Sequence, residues 1–150
     1  MFYKKYLKYK SKMFGGVNNI SLDITNNEPS QLDNNKNVNH LYVIFKNAIV
    51  KNDMELVRKL LKQGININHM YEDGNTPLLI AVGSDKLESR KDIIRFLLEN
   101  KANVKVTNSE GDSLLELVYL YDCEEDTKDT VRCREIIRDI KMMLKTYGAV

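Results

Sequence analysis

Tryptophan is absent from this 150-residue chain, and cysteine, proline and histidine occur twice each. Each scarcity excludes something. Cys123 and Cys133 are too few for the disulfide framework that holds small secreted domains, and no further ligands lie near them to complete a structural zinc site, so both are expected as free thiols. No run approaches the roughly 18 apolar residues of a membrane span. Met1 to Lys12 is basic but lacks the apolar region of a secretory signal, which makes the cytoplasm the default location and the acceptor-like Asn19-Ile-Ser21 incidental. His40 and His69 fall near a helix start and in a turn, where capping or solvent exposure is expected rather than catalysis. Gly15-Gly16 lacks the spacing and the following lysine of a phosphate loop. No catalytic constellation remains, and neither a cofactor nor a metal is expected.

At this length, with 43% hydrophobic residues, the chain can bury one sizeable core and is expected to form one domain. The formal net charge of +2 hides an asymmetry, because the first 22 residues contain Lys4, Lys5, Lys8, Lys10 and Lys12 and no acid, which leaves the remainder net acidic. Glu124, Glu125, Asp126 and Asp129 form an acidic run without the alternating ligands and glycine of an EF-hand loop, so it reads as a solvated insertion.

What the chain does possess is a recurring turn and helix. In Asp73-Gly-Asn-Thr-Pro-Leu-Leu-Ile-Ala81, Gly74 allows a turn residue with positive φ, Thr76 can cap a helix, and Pro77 suits the first helical position. The order returns 37 residues later as Glu110-Gly-Asp-Ser-Leu-Leu-Glu-Leu-Val118, where Ser113 and Glu116 have capping-box spacing. Each copy lies beside a second apolar stretch. Leu56-Val-Arg-Lys-Leu-Leu-Lys-Gln-Gly-Ile-Asn-Ile-Asn68 aligns residue for residue with Ile93-Ile-Arg-Phe-Leu-Leu-Glu-Asn-Lys-Ala-Asn-Val-Lys105. The combined pattern resembles the ankyrin repeat, a β-turn and two helices in about 33 residues. The resemblance covers roughly residues 40 to 150. It departs from the family at Leu79, where histidine is usual, at Lys101, where glycine is usual, and in extra residues at Ser84 to Arg90 and near Tyr121 to Arg132.

The resemblance implies an all-α ankyrin-repeat solenoid of about three helix-turn-helix repeats with β-turn connections, occupying residues 40–150. Residues 1–39 read as an arm and an asparagine-rich linker. In the arm, Phe2, Tyr6, Tyr9 and Met13 have helical spacing among the lysines, which suits a short amphipathic helix packed on the first repeat or a frayed terminus. It also suits contact with an acidic lipid surface or nucleic acid. Within the repeats, a first helix is expected from about His40 to Val50, with Asn52 and Glu55 as a capping pair for the second. Another runs from Thr76 to Val82, and the next begins near Lys91 or, capped by Asp85 and Glu88, somewhat earlier. The last carries the apolar stripe Cys133, Ile136, Ile137, Ile140, Met143, Leu144 and Tyr147, with a polar outer face suited to a terminal repeat.

In such proteins the turn tips and the exposed side of each first helix face partners. Carried onto this sequence, the positions are Met70, Glu72, Asp73, Asn75, Gly83 and Ser84 in one repeat and Thr107, Ser109, Glu110, Asp112, Leu120 and Tyr121 in the next. Tyr71 and Tyr119 lie beside them as either core or contact. The resemblance thus implies a non-enzymatic module that docks a protein partner on its concave and turn-tip surface. Its role would be that of a single-target inhibitor, such as a toxin immunity protein, or of an adaptor. Glu72, Asp73, Glu110 and Asp112 at the tips suggest a partner that is basic at the contact. The alternative is a peripheral membrane or nucleic-acid binder acting through the arm.

Overall fold

A computed structural model describes residues 34–84, 87–120 and 128–149. Six helices form among them: α1 (Asn34–Lys51), α2 (Met54–Lys62), α3 (Pro77–Val82), α4 (Lys91–Glu99), α5 (Leu114–Leu120) and α6 (Lys128–Thr146). They pack as three pairs, α1 on α2, α3 on α4 and α5 on α6. The first helices of successive pairs also stack, α1 on α3 and α3 on α5.

Local chemistry sets most of the boundaries. Thr76 Oγ1 accepts the Leu79 amide at 3.4 Å and Pro77 occupies the first turn of α3. Ser113 and Glu116 close a capping box at α5, the Ser113 amide donating to Glu116 Oε2 at 2.7 Å and the Glu116 amide to Ser113 Oγ at 3.4 Å. Two boundaries differ from expectation. α1 starts at Asn34, six residues before His40, because no glycine or proline separates the asparagine-rich stretch from the packed Phe45, Ala48 and Ile49 that nucleate the helix. At α2 the cap is Asp53, whose Oδ1 accepts the Leu56 amide at 3.0 Å. The link from α1 is so short that Asn52 must reverse the chain with φ of 59°, which moves the cap one residue on.

The link between α3 and α4 is longer, and α4 starts at Lys91 with no side-chain cap rather than extending back through Glu88. Glu88 instead pairs with Arg132 of α6 at 2.5 Å. Asp85 lies outside the described residues. Arg90, buried in this link, donates from Nη1 to the Ile49 carbonyl at 2.8 Å and from Nη2 to the Val50 carbonyl. Those carbonyls belong to the last turn of α1, beyond the reach of the helix's own amides, and Ile49 accepts the Asn52 amide at 3.1 Å as well. The surplus residues of the second repeat thus close the end of the first.

The second helix of every pair ends in the same way. Gly64, Lys101 and Gly148 have left-handed φ of 86°, 66° and 90°. The amides of Ile65, Ala102 and Ala149 then reach back to the carbonyls of Leu60, Leu97 and Leu144 at 3.3, 3.0 and 3.0 Å. This is the Schellman closure. Its threefold recurrence marks three repeats more plainly than the sequence of the last one does.

The core follows from the stacking. α3, Pro-Leu-Leu-Ile-Ala-Val, has no polar residue and is buried on every side between α1, α4 and α5. Leu79, at the position where the family usually has histidine, is wholly buried. Ile93, Ile94, Leu97 and Leu98 of α4 and Leu114 and Val118 of α5 continue the core, which ends on Ile140 and Leu144 of α6. One expectation fails here. Cys133 is disulfide-bonded rather than a free thiol. The thiol reading rested on having too few cysteines for a framework, which does not bear on a single bridge; Cys123 lies outside the described residues.

Candidate functional site

The loops between repeats form tight tips. The amide of Gly74 donates to the Tyr71 carbonyl at 2.8 Å and the amide of Tyr71 to the Asn75 carbonyl at 2.9 Å, which closes a hairpin with Glu72 and Asp73 at its turn. One repeat on, Gly111 donates to the Asn108 carbonyl and Asn108 to the Asp112 carbonyl, each at 3.0 Å. The two tips touch. A Cβ placed on Gly74, where φ is 72°, would lie 3.1 Å from Ser109 Cβ, so the missing side chain is what permits the approach. Nearby, Asn68 Oδ1 accepts the Asn103 amide at 2.7 Å and links the loops that follow α2 and α4.

A ring stack joins the first tip to α1. His69 lies on Tyr42 with centroids 3.6 Å apart and planes 12° from parallel, and meets Tyr71 edge-on at 4.9 Å. The Tyr71 hydroxyl donates to the Tyr42 carbonyl at 3.2 Å, while the Tyr42 hydroxyl accepts the Asn66 amide at 3.3 Å. Lys46 completes the group, 2.6 Å from Asp73 Oδ2 and 5.2 Å from the centre of the Tyr71 ring. Burial holds the His69 imidazole below its ordinary range. Burial, then the charge of Asp73 and the neighbouring Tyr42, push the Tyr71 phenol well above the usual tyrosine value. Both rings therefore stay neutral near pH 7 and serve as a firm apolar base.

The sequence-derived contact positions separate on this frame. Met70, between His69 and Tyr71 in the chain, is 64% exposed, and Glu72, Thr107 and Ser109 are exposed as well. Asp73 and Glu110 are partly covered. Asp73 uses one oxygen for Lys46 and the other to accept the Asn75 amide at 3.1 Å. Asn75, Gly83, Ser84, Asp112 and Leu120 are buried and offer no exposed side chain to a partner. Asp112 turns inward, its Oδ2 accepting from Asn108 Nδ2 at 3.2 Å, because the hairpin needs an acceptor there. Tyr121 and the acidic run at 124–126 lie outside the described residues, as does the arm.

Tyr71 is partly buried, whereas Tyr119 is 64% exposed under the Lys141 ammonium, 3.4 Å from its ring centre. Sequence reasoning missed Tyr42, Lys46 and the stacking of His69. The one available signal was that all three are aromatic or basic residues on segments that the repeat pattern places side by side.

Among the described residues no group of histidine, cysteine, aspartate and glutamate is placed to hold a metal ion, and no helix is long and apolar enough to cross a membrane. A groove of about 270 Å³ between α2 and α4 mixes Arg58 and Arg95 with Asp92 and Glu99 around Phe96. No single ligand charge fits it.

Stacked helix pairs with hairpin tips and a common helix ending define a helical repeat protein of the ankyrin class. The model of ankyrin repeats, in three copies, matches residues 16–126, and the chain belongs to the ankyrin-repeat family. It is similar to the ankyrin repeat, SAM and basic leucine zipper domain-containing protein 1 of Mus musculus, 30% identical over 93 residues that make up 62% of this chain and 18% of that protein. It is 32% identical over 63 residues to an ankyrin repeat protein of Acanthamoeba polyphaga mimivirus, across 42% of this chain and 10% of that protein. Phosphocholine transferase AnkX of Legionella pneumophila is 30% identical over 76 residues, 50% of this chain and 8% of that protein. The chain thus spans less than a fifth of these relatives. No solved structure matches it. Ankyrin repeats are generally protein-protein interaction modules and are typically non-enzymatic.

Proposed function

We propose that this chain docks one protein partner on the edge formed by its two turn tips, as a single-target inhibitor or an adaptor, and carries out no chemistry itself. The observation that carries this reading is Met70, an exposed apolar side chain on the turn between His69 and Tyr71, whose rings are fixed by their contacts with each other and with Tyr42. Methionine and aromatic residues are enriched in interface cores, and an anchor on an ordered turn costs less entropy on binding than one on a loose loop. Glu72 and Glu110 give the edge an acidic rim that favours a partner basic at the contact. Asp73 and Asp112 add little to that rim, since one is paired with Lys46 and the other is buried.

The test is capture of partners from the native cell with the wild type and with Met70→Ala combined with Glu72→Gln, read by mass spectrometry. A partner held by the wild type and lost by the variant supports docking at the tips. A partner held equally by both moves the contact elsewhere.

A further inference from the structure

The two ends of the repeat stack are finished differently. At the last repeat, alignment of Lys101 with Gly148 places Lys141 and Lys145 at the positions of Ile94 and Leu98, which are buried in the repeat before. Tyr119 likewise stands where Val82 is buried, and Lys141 lies over its ring. Burial and the neighbouring Lys145 hold the Lys141 ammonium below its ordinary range. Charged groups thus occupy the face that another repeat would need to be apolar, and water is its natural neighbour.

The opposite end has no such finish. On α1, Val38 and Val43 are each 46% exposed and Leu41 is 39% exposed. Between α1 and α2 lies a groove of about 130 Å³, with Val43, Ile44, Ala48 and Leu56 as its apolar lining and His40, Asn47, Lys51 and Asp53 as its polar lining. The groove residues of α1, with Val43, Ile44 and Ala48 apolar among His40, Asn47 and Lys51, recur at three and four, so they share one side of the helix. A partly apolar groove of this kind beside a packed core is a docking face.

We infer that the segment Met1–Phe14 of the same chain covers this face as an intramolecular cap. Three features choose it over a second copy or another protein. The upstream chain joins the fold at Asn34, the first residue of the helix that lines the groove. The roughly 20 residues between Phe14 and Asn34 span up to about 66 Å when extended, against about 27 Å for the whole of α1, so every point along the groove is within reach. The segment also carries an apolar surface to meet the groove, with Phe2, Tyr6, Tyr9 and Met13 at helical spacing. A tethered cap binds at high effective concentration, so a modest contact keeps the face closed.

The experiment uses the full chain in four forms: wild type, Val43→Asp, the combined Phe2→Ser, Tyr6→Ser and Tyr9→Ser, and all four substitutions together. Hydrogen exchange of the α1 and α2 amides and the thermal midpoint are followed at two protein concentrations. The inference predicts that either set of changes speeds exchange at residues 40–56 by about tenfold, and that joining them adds nothing more, since both break one contact. It also predicts no dependence on concentration. Additive midpoint shifts, or unchanged exchange in the arm variant, would overturn it. So would protection that grows with concentration, which would place a second copy on the face. Loss of binding to anionic phosphatidylserine vesicles with exchange unchanged would overturn it too, by assigning the arm to a membrane surface. Should Val43→Asp fail to fold, the exchange of the arm variant alone decides.

Discussion

Lys101 occupies the place that Gly64 holds one repeat earlier, and both keep a left-handed backbone, with φ of 66° and 86°. For glycine this conformation is nearly free. For lysine it costs about 1 to 2 kcal/mol, because Cβ crowds the following carbonyl. The chain tolerates the strain because the Ala102 amide still closes on the Leu97 carbonyl.

Replacing Lys101 with glycine is therefore expected to stabilise the protein by about 0.5 to 1 kcal/mol, the relief being partly offset by the freer unfolded chain. Urea unfolding checks it. A loss of stability would show that the lysine side chain contributes more than its backbone costs.

Arg90 ties the second repeat to the end of the first through the carbonyls of Ile49 and Val50. Arg90→Met keeps the aliphatic bulk but takes the side-chain donors from both carbonyls, leaving Ile49 only the Asn52 amide at 3.1 Å, at an expected cost of about 1 to 3 kcal/mol. Arg90→Lys should recover only part of this, since a single ammonium cannot match a planar fork. A change under about 0.5 kcal/mol in either variant would mean that water serves these carbonyls as well.

Leu97 is fully buried at the centre of α4, and Leu97→Ala should cost about 2 to 5 kcal/mol through lost transfer energy and the cavity left behind. Thr76→Ala removes the cap of α3 and should cost about 0.5 to 2 kcal/mol. Because each repeat is covered by its neighbours, both losses should show as one cooperative unfolding step seen by circular dichroism. Two separate transitions would contradict that dependence.

Acid should weaken the fold in two windows. Burial lowers the His69 pKa, so the unfolded chain binds the proton more readily; this contribution is complete above about pH 6.5 and is lost as pH falls through the depressed folded value. Asp139 is also lowered, first by its hydrogen bond from Lys91, and its contribution disappears only below the ordinary carboxylate range. A thermal-midpoint profile of His69→Gln against wild type should therefore be flatter as pH falls below about 6.5 and parallel within the carboxylate range. Identical slopes through the upper window would remove His69 from the account.

Much of the fold could be read from the chain because its signals are local. Thr76 before Pro77, the Ser113 and Glu116 pair, and the apolar stripe of α6 each fix a helix within a few residues. The start of α1 was obscure because Asn34 to Asn39 has weak helix preference and no apolar period, and only the packing of Phe45 and Ile49 draws it into the helix. The site was harder to read. Turn position suggested exposure for Asn75 and Asp112, yet hairpin closure and the contact between tips bury both. The stack of Tyr42, His69 and Tyr71 arises where α1 meets the loop after α2, and that meeting depends on how the helices pack rather than on any spacing in the sequence.

The central claim is that the tips dock the partner through Met70, exposed between His69 and Tyr71. Its most direct test is the association and dissociation kinetics of the captured partner with wild type, Met70→Ala, and Glu72→Gln combined with Glu110→Gln, at two salt concentrations. Loss of the anchor should speed dissociation by about tenfold or more with little change in the on-rate. The charge variant should mainly slow association and flatten its salt dependence. Dissociation rates equal to wild type for Met70→Ala, with unchanged salt slopes for the charge variant, would contradict docking at the turn tips.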